Sequence, residues 1–143
     1  MIGIDTTFIV QLEIQEMPEH ARAHELLRRA VIDAGDAVAL APQVLTEFLH
    51  VVTDARRFER PLTMEQALAK ARYWWDASEI RHVYPTGEST ALFMEWIARH
   101  NLGRKRLLDT HLAATYWTAG VRRILTSNAR DFAVFGVFEA LSP

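Results

Sequence analysis

Short apolar runs and longer stretches of three-and-four spacing take turns along this chain. Met1-Ile2-Gly3-Ile4, Ala37-Val38-Ala39-Leu40 and Ile124-Leu125-Thr126 are of the first kind and read as buried strands. Ile80-Arg81-His82-Val83-Tyr84 alternates like another strand, closed by Pro85, and Val137-Phe138-Glu139-Ala140 reads as a last edge strand. Helical spacing fills the gaps. Thr6 or Thr7 starts a helix through Phe8, Ile9, Val10 and Leu12. Pro18 opens a second, striped by Ala23, Leu26, Leu27, Ala30 and Val31 and stopped at Gly35. Pro42 begins a third, with Val44, Leu45, Phe48, Leu49 and Val52 on its buried side. Thr63 and Gln66 make a capping box ahead of a helix through Trp74 and Trp75. Thr86 opens the next, which ends near Gly103 and leads to a basic loop, Arg104-Lys105-Arg106. Leu107 to Trp117 is a helix with Leu108, Leu112, Ala113 and Tyr116 along one side, ended by Gly120, and Asn128 to Phe132 is a brief turn or helix.

Strands that alternate with helices pair in parallel, with helices covering both faces of the sheet. The expected fold is a three-layer α/β/α domain with a short, mostly parallel central sheet. No repeat, low-complexity tract or linker interrupts residues 1–143, which read as a single domain. With 143 residues, half of them apolar, the chain can bury a sizeable core. Cysteine is absent, which excludes disulfides and thiolate metal ligands and fits a reducing cytoplasm. The first residues lack the pattern of a signal peptide, and no run approaches the roughly 20 apolar residues of a membrane helix. A cytoplasmic protein without membrane contact is expected. The net charge of −2 leaves no overall basic field of the kind that packages nucleic acid. Basic residues cluster locally, at Arg56, Arg57 and Arg60, at Arg104, Lys105 and Arg106, and at Arg122 and Arg123.

Four segments carry a carboxylate among apolar neighbours. Asp5 ends the first strand, where open α/β sheets bind ligands. Glu47 flanks the buried stripe of its helix, Asp109 stands near the start of another, and Asp131 lies in the brief turn before Phe132. Singly, each has an ordinary reading: an edge residue, an acid complementing a helix dipole, a solvated cap. Together they carry more weight. Parallel strands bring their carboxyl ends to one edge, so these acids would meet there. Carboxylates that close repel one another unless a cation or protons sit among them. Oxygen ligands suit Mg2+ or Mn2+, and a cysteine-free acidic site is poor for structural zinc.

Other chemistries find less support. Glu47 and His50 have the Glu-x-x-His spacing of di-iron bundles, but those need two such motifs on long helices. His20 and His24 share a helix face among polar neighbours and read as exposed, and His111 reads as a packing or surface residue. Glycine-rich dinucleotide and nucleotide loops are missing. So are the second early acid of a haloacid-dehalogenase-like phosphatase and the late lysine of a receiver domain. The tryptophans read as core residues, except that Trp74 and Trp75 cannot both point one way on a helix, which reserves one of them for an interface.

Four segments in order span nearly the whole chain: Ile2-Gly3-Ile4-Asp5-Thr6-Thr7-Phe8, Leu45-Thr46-Glu47-Phe48, Leu107-Leu108-Asp109-Thr110-His111-Leu112-Ala113-Ala114, and Ile124-Leu125-Thr126-Ser127-Asn128-Ala129-Arg130-Asp131-Phe132. This set resembles the PIN-domain ribonucleases, in particular the VapC toxins of bacterial and archaeal toxin–antitoxin pairs. The resemblance implies that Asp5, Glu47 and Asp109 are metal-site acids. Many relatives carry Asp where this chain has Asn128. The fourth position is therefore open between Asn128, through its carbonyl oxygen, and Asp131, which restores a fourth negative charge and is placed first. Thr6 and Thr126 are implied to orient the acids. The implied activity is RNA phosphodiester hydrolysis, with Asp5, Glu47, Asp109 and Asp131 catalytic and one or two Mg2+ or Mn2+ ions as cofactor. Arg104, Lys105, Arg106 and Arg130 would hold the RNA backbone. The resemblance also implies a homodimer and a cognate antitoxin covering the acidic groove. The alternative is a catalytically inactive module of the same fold that binds RNA or serves assembly; the acids at Asp5, Glu47 and Asp109 favour the enzyme.

Overall fold

The computed structural model describes all 143 residues. Five three-residue strands form one sheet: β1 (Ile2–Ile4), β2 (Val38–Leu40), β3 (Ile80–His82), β4 (Arg123–Leu125) and β5 (Glu139–Leu141). Their order is β3-β2-β1-β4-β5, and every pairing is parallel. The expectation of a mostly parallel sheet is thus exceeded, because each strand is followed or preceded by a helical crossover rather than a hairpin. The helices are α1 (Thr6–Glu13), α2 (His20–Leu27), α3 (Pro42–Val52), α4 (Met64–Asp76), α5 (Gly87–Arg99), α6 (Leu107–Thr118) and the short α7 (Ala129–Ala133). Seven helices flanking a five-stranded sheet make the three-layer α/β/α arrangement. No helix is long and apolar enough to cross a membrane.

The chain winds outward from β1 through β2 to β3, then returns to lay β4 and β5 on the other side of β1. That reversal puts a topological switch point between the carboxyl ends of β1 and β4, the place where open parallel sheets form ligand crevices. The register aligns Ile4 with Leu125, so the residues that follow both strands leave the sheet side by side. Ile2, Ile4, Ile124 and Leu125 are fully buried, which anchors that edge in the core.

Local signals set the helix starts. Asp5 is the N-cap of α1, and capping boxes head α4 (Thr63 with Gln66) and α5 (Thr86 with Ser89). Pro42 occupies the first turn of α3. Gly120, at φ 89°, takes the left-handed turn after α6. His20 and His24 bridge no shared ligand: their rings lie 2.9 Å from the Gln11 carbonyl oxygen and 2.8 Å from that of Leu12. They occupy carbonyls near the carboxyl end of α1, which a helix end leaves unpaired.

Several expectations need correction. α2 passes into a π-helical turn at Arg28–Ile32 before Gly35. α5 stops at Arg99 rather than near Gly103, because Asn101 already turns the chain at φ 50°. Arg104–Arg106 is a 3-10 turn running straight into α6, not a loop. Leu108 is 71% exposed and does not belong to the buried side of α6; burial on that helix begins at Thr110. Trp74 turns inward and donates its Nε1–H to Glu13 at 2.8 Å, while Trp75 lies half-buried and stacked on His82.

Candidate active site

The carboxyl end of β1 delivers Asp5 into the crevice as the cap of α1. Its backbone N–H donates to the Leu125 carbonyl at 3.1 Å, which locks the residue to β4. Its side chain accepts three hydrogen bonds: from Thr7 Oγ1 at 2.7 Å and the Phe8 N–H at 3.1 Å on one oxygen, and from Thr126 Oγ1 at 2.5 Å on the other. No cation neutralises it within the chain. Burial is the largest influence on this carboxyl and pushes it up to about 6; the three hydrogen bonds pull against the rise and the Asp109 charge adds to it.

Thr126 follows β4 directly, and its Oγ1 accepts the Asn128 N–H at 2.9 Å, so its hydroxyl proton is left for Asp5. Thr6 donates to Glu47 Oε2 at 2.9 Å and ties the carboxylate of α3 to the start of α1. Asp109 sits half-buried in the first turn of α6. Burial, then the Asp131 and Glu47 charges, push it up to about 6 against the opposing pull of Arg106. Asp131 lies on α7 with its Oδ1 3.6 Å from Arg106 Nη1, and Arg106 also donates to the Asp131 backbone carbonyl.

Asp5, Glu47, Asp109 and Asp131 therefore occupy one neighbourhood at the switch point, where Asp109 feels the charges of Asp131 and Glu47 and Asp5 feels that of Asp109. They do not close into a cage: no three acidic or histidine side chains are grouped to hold an ion. Asn128 is exposed and makes no cap bond with its side chain. Arg104, Lys105 and Arg130 are exposed around this edge. Arg106 departs from the expectation of a free phosphate contact: it is half-buried and engaged with Asp131, so it acts first on an acid of the site.

Some neighbours escaped the sequence reading. Thr7 also holds Asp5, through its other oxygen; a hydroxyl two residues after a buried carboxylate was the available signal. Gln11, bonded to Ser127, lines a space next to the crevice and carried no signal beyond its polarity on an apolar helix; Arg57, from the basic cluster with Arg56 and Arg60, lines the same space.

The PIN domain family model matches residues 2–136. The chain belongs to the PIN domain family. This PIN domain is 28% identical over 153 residues to Ribonuclease VapC24 of Mycobacterium tuberculosis, a match covering 100% of the chain and 97% of the relative. Its fold is similar to the crystal structure of Mycobacterium tuberculosis VapC20, described as a sarcin-ricin loop cleaving toxin, with a TM-score of 0.75, 20% identity and 100% of both chains covered. It is also similar to Rickettsia felis VapBC2, solved bound to a DNA fragment from their promoter (TM-score 0.67, 16% identity, 100% of this chain and 99% of that one). At these identities the solved structures speak for the fold.

The donor chemistry of this PIN domain's acidic side chains, though not their spacing, suits a hard divalent cation. The donor set is all oxygen, and Asp5 and Asp109 are held near 6 by burial and like charge, a penalty that a nearby cation reverses.

Proposed function

We propose that this PIN domain, residues 1–143 acting as one unit, is a divalent-metal-dependent endoribonuclease, the toxin of a VapBC-like pair. The observation that carries the reading is the meeting of Asp5, Glu47, Asp109 and Asp131 at the sheet's switch point, with two of them resisting ionisation. The relatives named ribonucleases and toxins support it over the full length of the chain.

Asp5, Glu47, Asp109 and Asp131 would hold one or two Mg2+ or Mn2+ ions, with Asn128 able to add a neutral oxygen. When bound, such an ion lowers the pKa of water and neutralises charge on phosphate oxygens. The chain's own groups do the rest. Thr7 and Thr126 fix the Asp5 carboxylate in one orientation, and Thr6 aims Glu47. Arg106 holds Asp131 in place. Arg104, Lys105 and Arg130 attract the RNA backbone without reading its sequence. An antitoxin partner follows from the VapBC assembly among the structural relatives, and an arginine inserted among the acids would block the site. We also assign a homodimer.

The test is RNA cleavage by the purified protein. With Mn2+ or Mg2+ it should cut RNA, and Asp5→Asn should abolish cutting while the circular dichroism spectrum stays native. Cleavage at equal rate by Asp5→Asn without metal overturns the assignment. The open spacing of the acids favours a second reading, an inactive PIN module for RNA binding or assembly. Calorimetric titration separates the two, since an inactive module binds no Mn2+ at millimolar concentration.

A further inference from the structure

Beside the acidic crevice lies a cavity of about 510 Å3 that shares Thr6 and Glu47 with it. Its volume falls within the roughly 300–1,000 Å3 of small-ligand sites. Met17 and Phe58 give it apolar surface, and Gln11 and Arg57 give it polar contacts.

Gln11 is the first sign of a ligand. It is only 4% exposed, although a buried amide is costly unless its groups are bonded. Ser127 Oγ donates to its Oε1 at 2.7 Å, and its amide nitrogen donates to no protein atom but is not sealed from solvent, in a side chain that lines the cavity. A second lone pair on Oε1 and two N–H donors are thus available. Arg57 is the second sign. It is the one cation among the lining residues. Its Nε lies 3.4 Å from Asp54, but Arg56 holds that same carboxylate with two guanidinium contacts at 3.1 and 3.3 Å. The Nη groups of Arg57 are left for another anion.

We propose that this cavity receives an unpaired nucleobase next to the bond that is cut, with the Gln11 amide reading the base edge and Arg57 holding the adjoining phosphate. The proposal rests on the nuclease reading above and adds the place where sequence preference arises. A carboxamide presents a donor and an acceptor side by side, the pattern that base edges match. The apolar surface suits the face of a base, and RNA-specific proteins read unpaired bases in this way. Because Glu47 and Thr6 belong to both spaces, a base seated here brings its phosphate to the acids.

The experiment sequences the cut ends of a random RNA pool treated with wild type, Gln11→Met and Arg57→Ala in Mn2+, and measures KM on one short RNA. Wild type should show a base preference at one position flanking the cut. Gln11→Met should flatten that preference by roughly 5- to 100-fold, the discrimination a bidentate base contact supplies. Arg57→Ala should raise KM by about 5-fold or more, as for a lost charge-assisted phosphate contact, and leave the preference in place. Arg57 is exposed, so its variant tests the proposal even if Gln11→Met folds poorly. If wild type cuts and both variants keep its end profile and KM, the subsite is wrong and the nuclease reading stands; an antitoxin side chain is then the better occupant. If wild type leaves the pool intact, the nuclease reading falls and the subsite with it.

Discussion

Thr126 holds Asp5 from the end of the neighbouring strand: its hydroxyl donates to Asp5 Oδ2 at 2.5 Å, although the two stand 121 positions apart. The bond spans the switch point and supports a carboxylate that burial opposes. Thr126→Val keeps the shape and removes the donor. Second-layer partners of metal ligands are worth roughly 10- to 100-fold in affinity or activity. We expect a loss of that size in Mn2+ affinity and RNA cleavage, with Thr126→Ser retaining most of both. Unchanged titration and cleavage by Thr126→Val would assign the threonine to packing alone.

The metal-free protein should lose stability as pH rises through the weakly acidic range. Asp5 and Asp109 are carboxyls raised from 3.8 to about 6 on folding. The folded state therefore holds protons that the unfolded state has released. Their contribution is complete below about 3.8 and is lost as pH climbs through about 6. For buried Asp5 the loss is about 3 kcal/mol, taking ~1.4 kcal/mol per decade. About 2 kcal/mol of that falls between pH 4.5 and pH 7, because part is already lost at 4.5, and it corresponds to a melting temperature lower by roughly 5–8 °C at pH 7. Asp36 and Asp54 are lowered, so their stabilisation is lost only below the usual carboxylate range and leaves this window clear. The difference between wild type and Asp5→Asn isolates the effect, since the variant should lack the Asp5 part of the slope. Mn2+ at about 100 times its dissociation constant should return about 2.7 kcal/mol at pH 7. Parallel pH profiles for the two proteins would refute the account.

What could be read beforehand divides along contact range. Asp5 was legible because a short apolar run ending in one acid and two hydroxyl residues is a strand–cap–helix signal within seven residues. The capping box of Thr63 with Gln66 was legible for the same reason. The role of Arg106 was not, because its partner Asp131 lies 25 positions on and on another helix. Leu108 matched the apolar spacing of α6, yet spacing does not say where along a helix the cover begins. Gln11 carries no signal in the sequence; only the fold places Ser127 opposite it. The four acids could be grouped in advance because parallel topology gathers strand ends, while their distances and their pairing with Arg106 depend on tertiary placement.

Asp131 should matter more than Asn128 for metal binding. The Asp131 charge raises Asp109, so the two side chains sit close enough to repel. A divalent ion would relieve both at once. Asn128 is exposed and its side chain caps nothing. We expect Asp131→Asn to weaken Mn2+ binding about 10-fold or more and Asn128→Ala by less than about 3-fold, on the scale of outer and inner ligand changes. Calorimetry on the two variants decides it, and the reverse ranking would hand the fourth position to Asn128.

Gly3 should tolerate no side chain, for a reason that reaches the active site. A Cβ there would lie 2.9 Å from two ring carbons of Tyr116 and 3.2 Å from Val121 Cγ1. The ring is fully buried, so it cannot swing aside without moving α6. Its hydroxyl donates to the Ile4 carbonyl at 2.6 Å, one residue before Asp5, and burial pushes that phenol up so that it remains a donor. Gly3→Ala therefore overpacks the sheet–helix contact at a cost of roughly 1–3 kcal/mol. It also displaces the same α6 that carries Asp109. Tyr116→Phe removes only the hydrogen bond and should cost about 1 kcal/mol. We expect Gly3→Ala to lower both melting temperature and Mn2+ affinity and Tyr116→Phe to lower the first more than the second. A Gly3→Ala protein as stable as wild type would mean that α6 shifts freely, and the geometry argued for Asp109 would then have no fixed support.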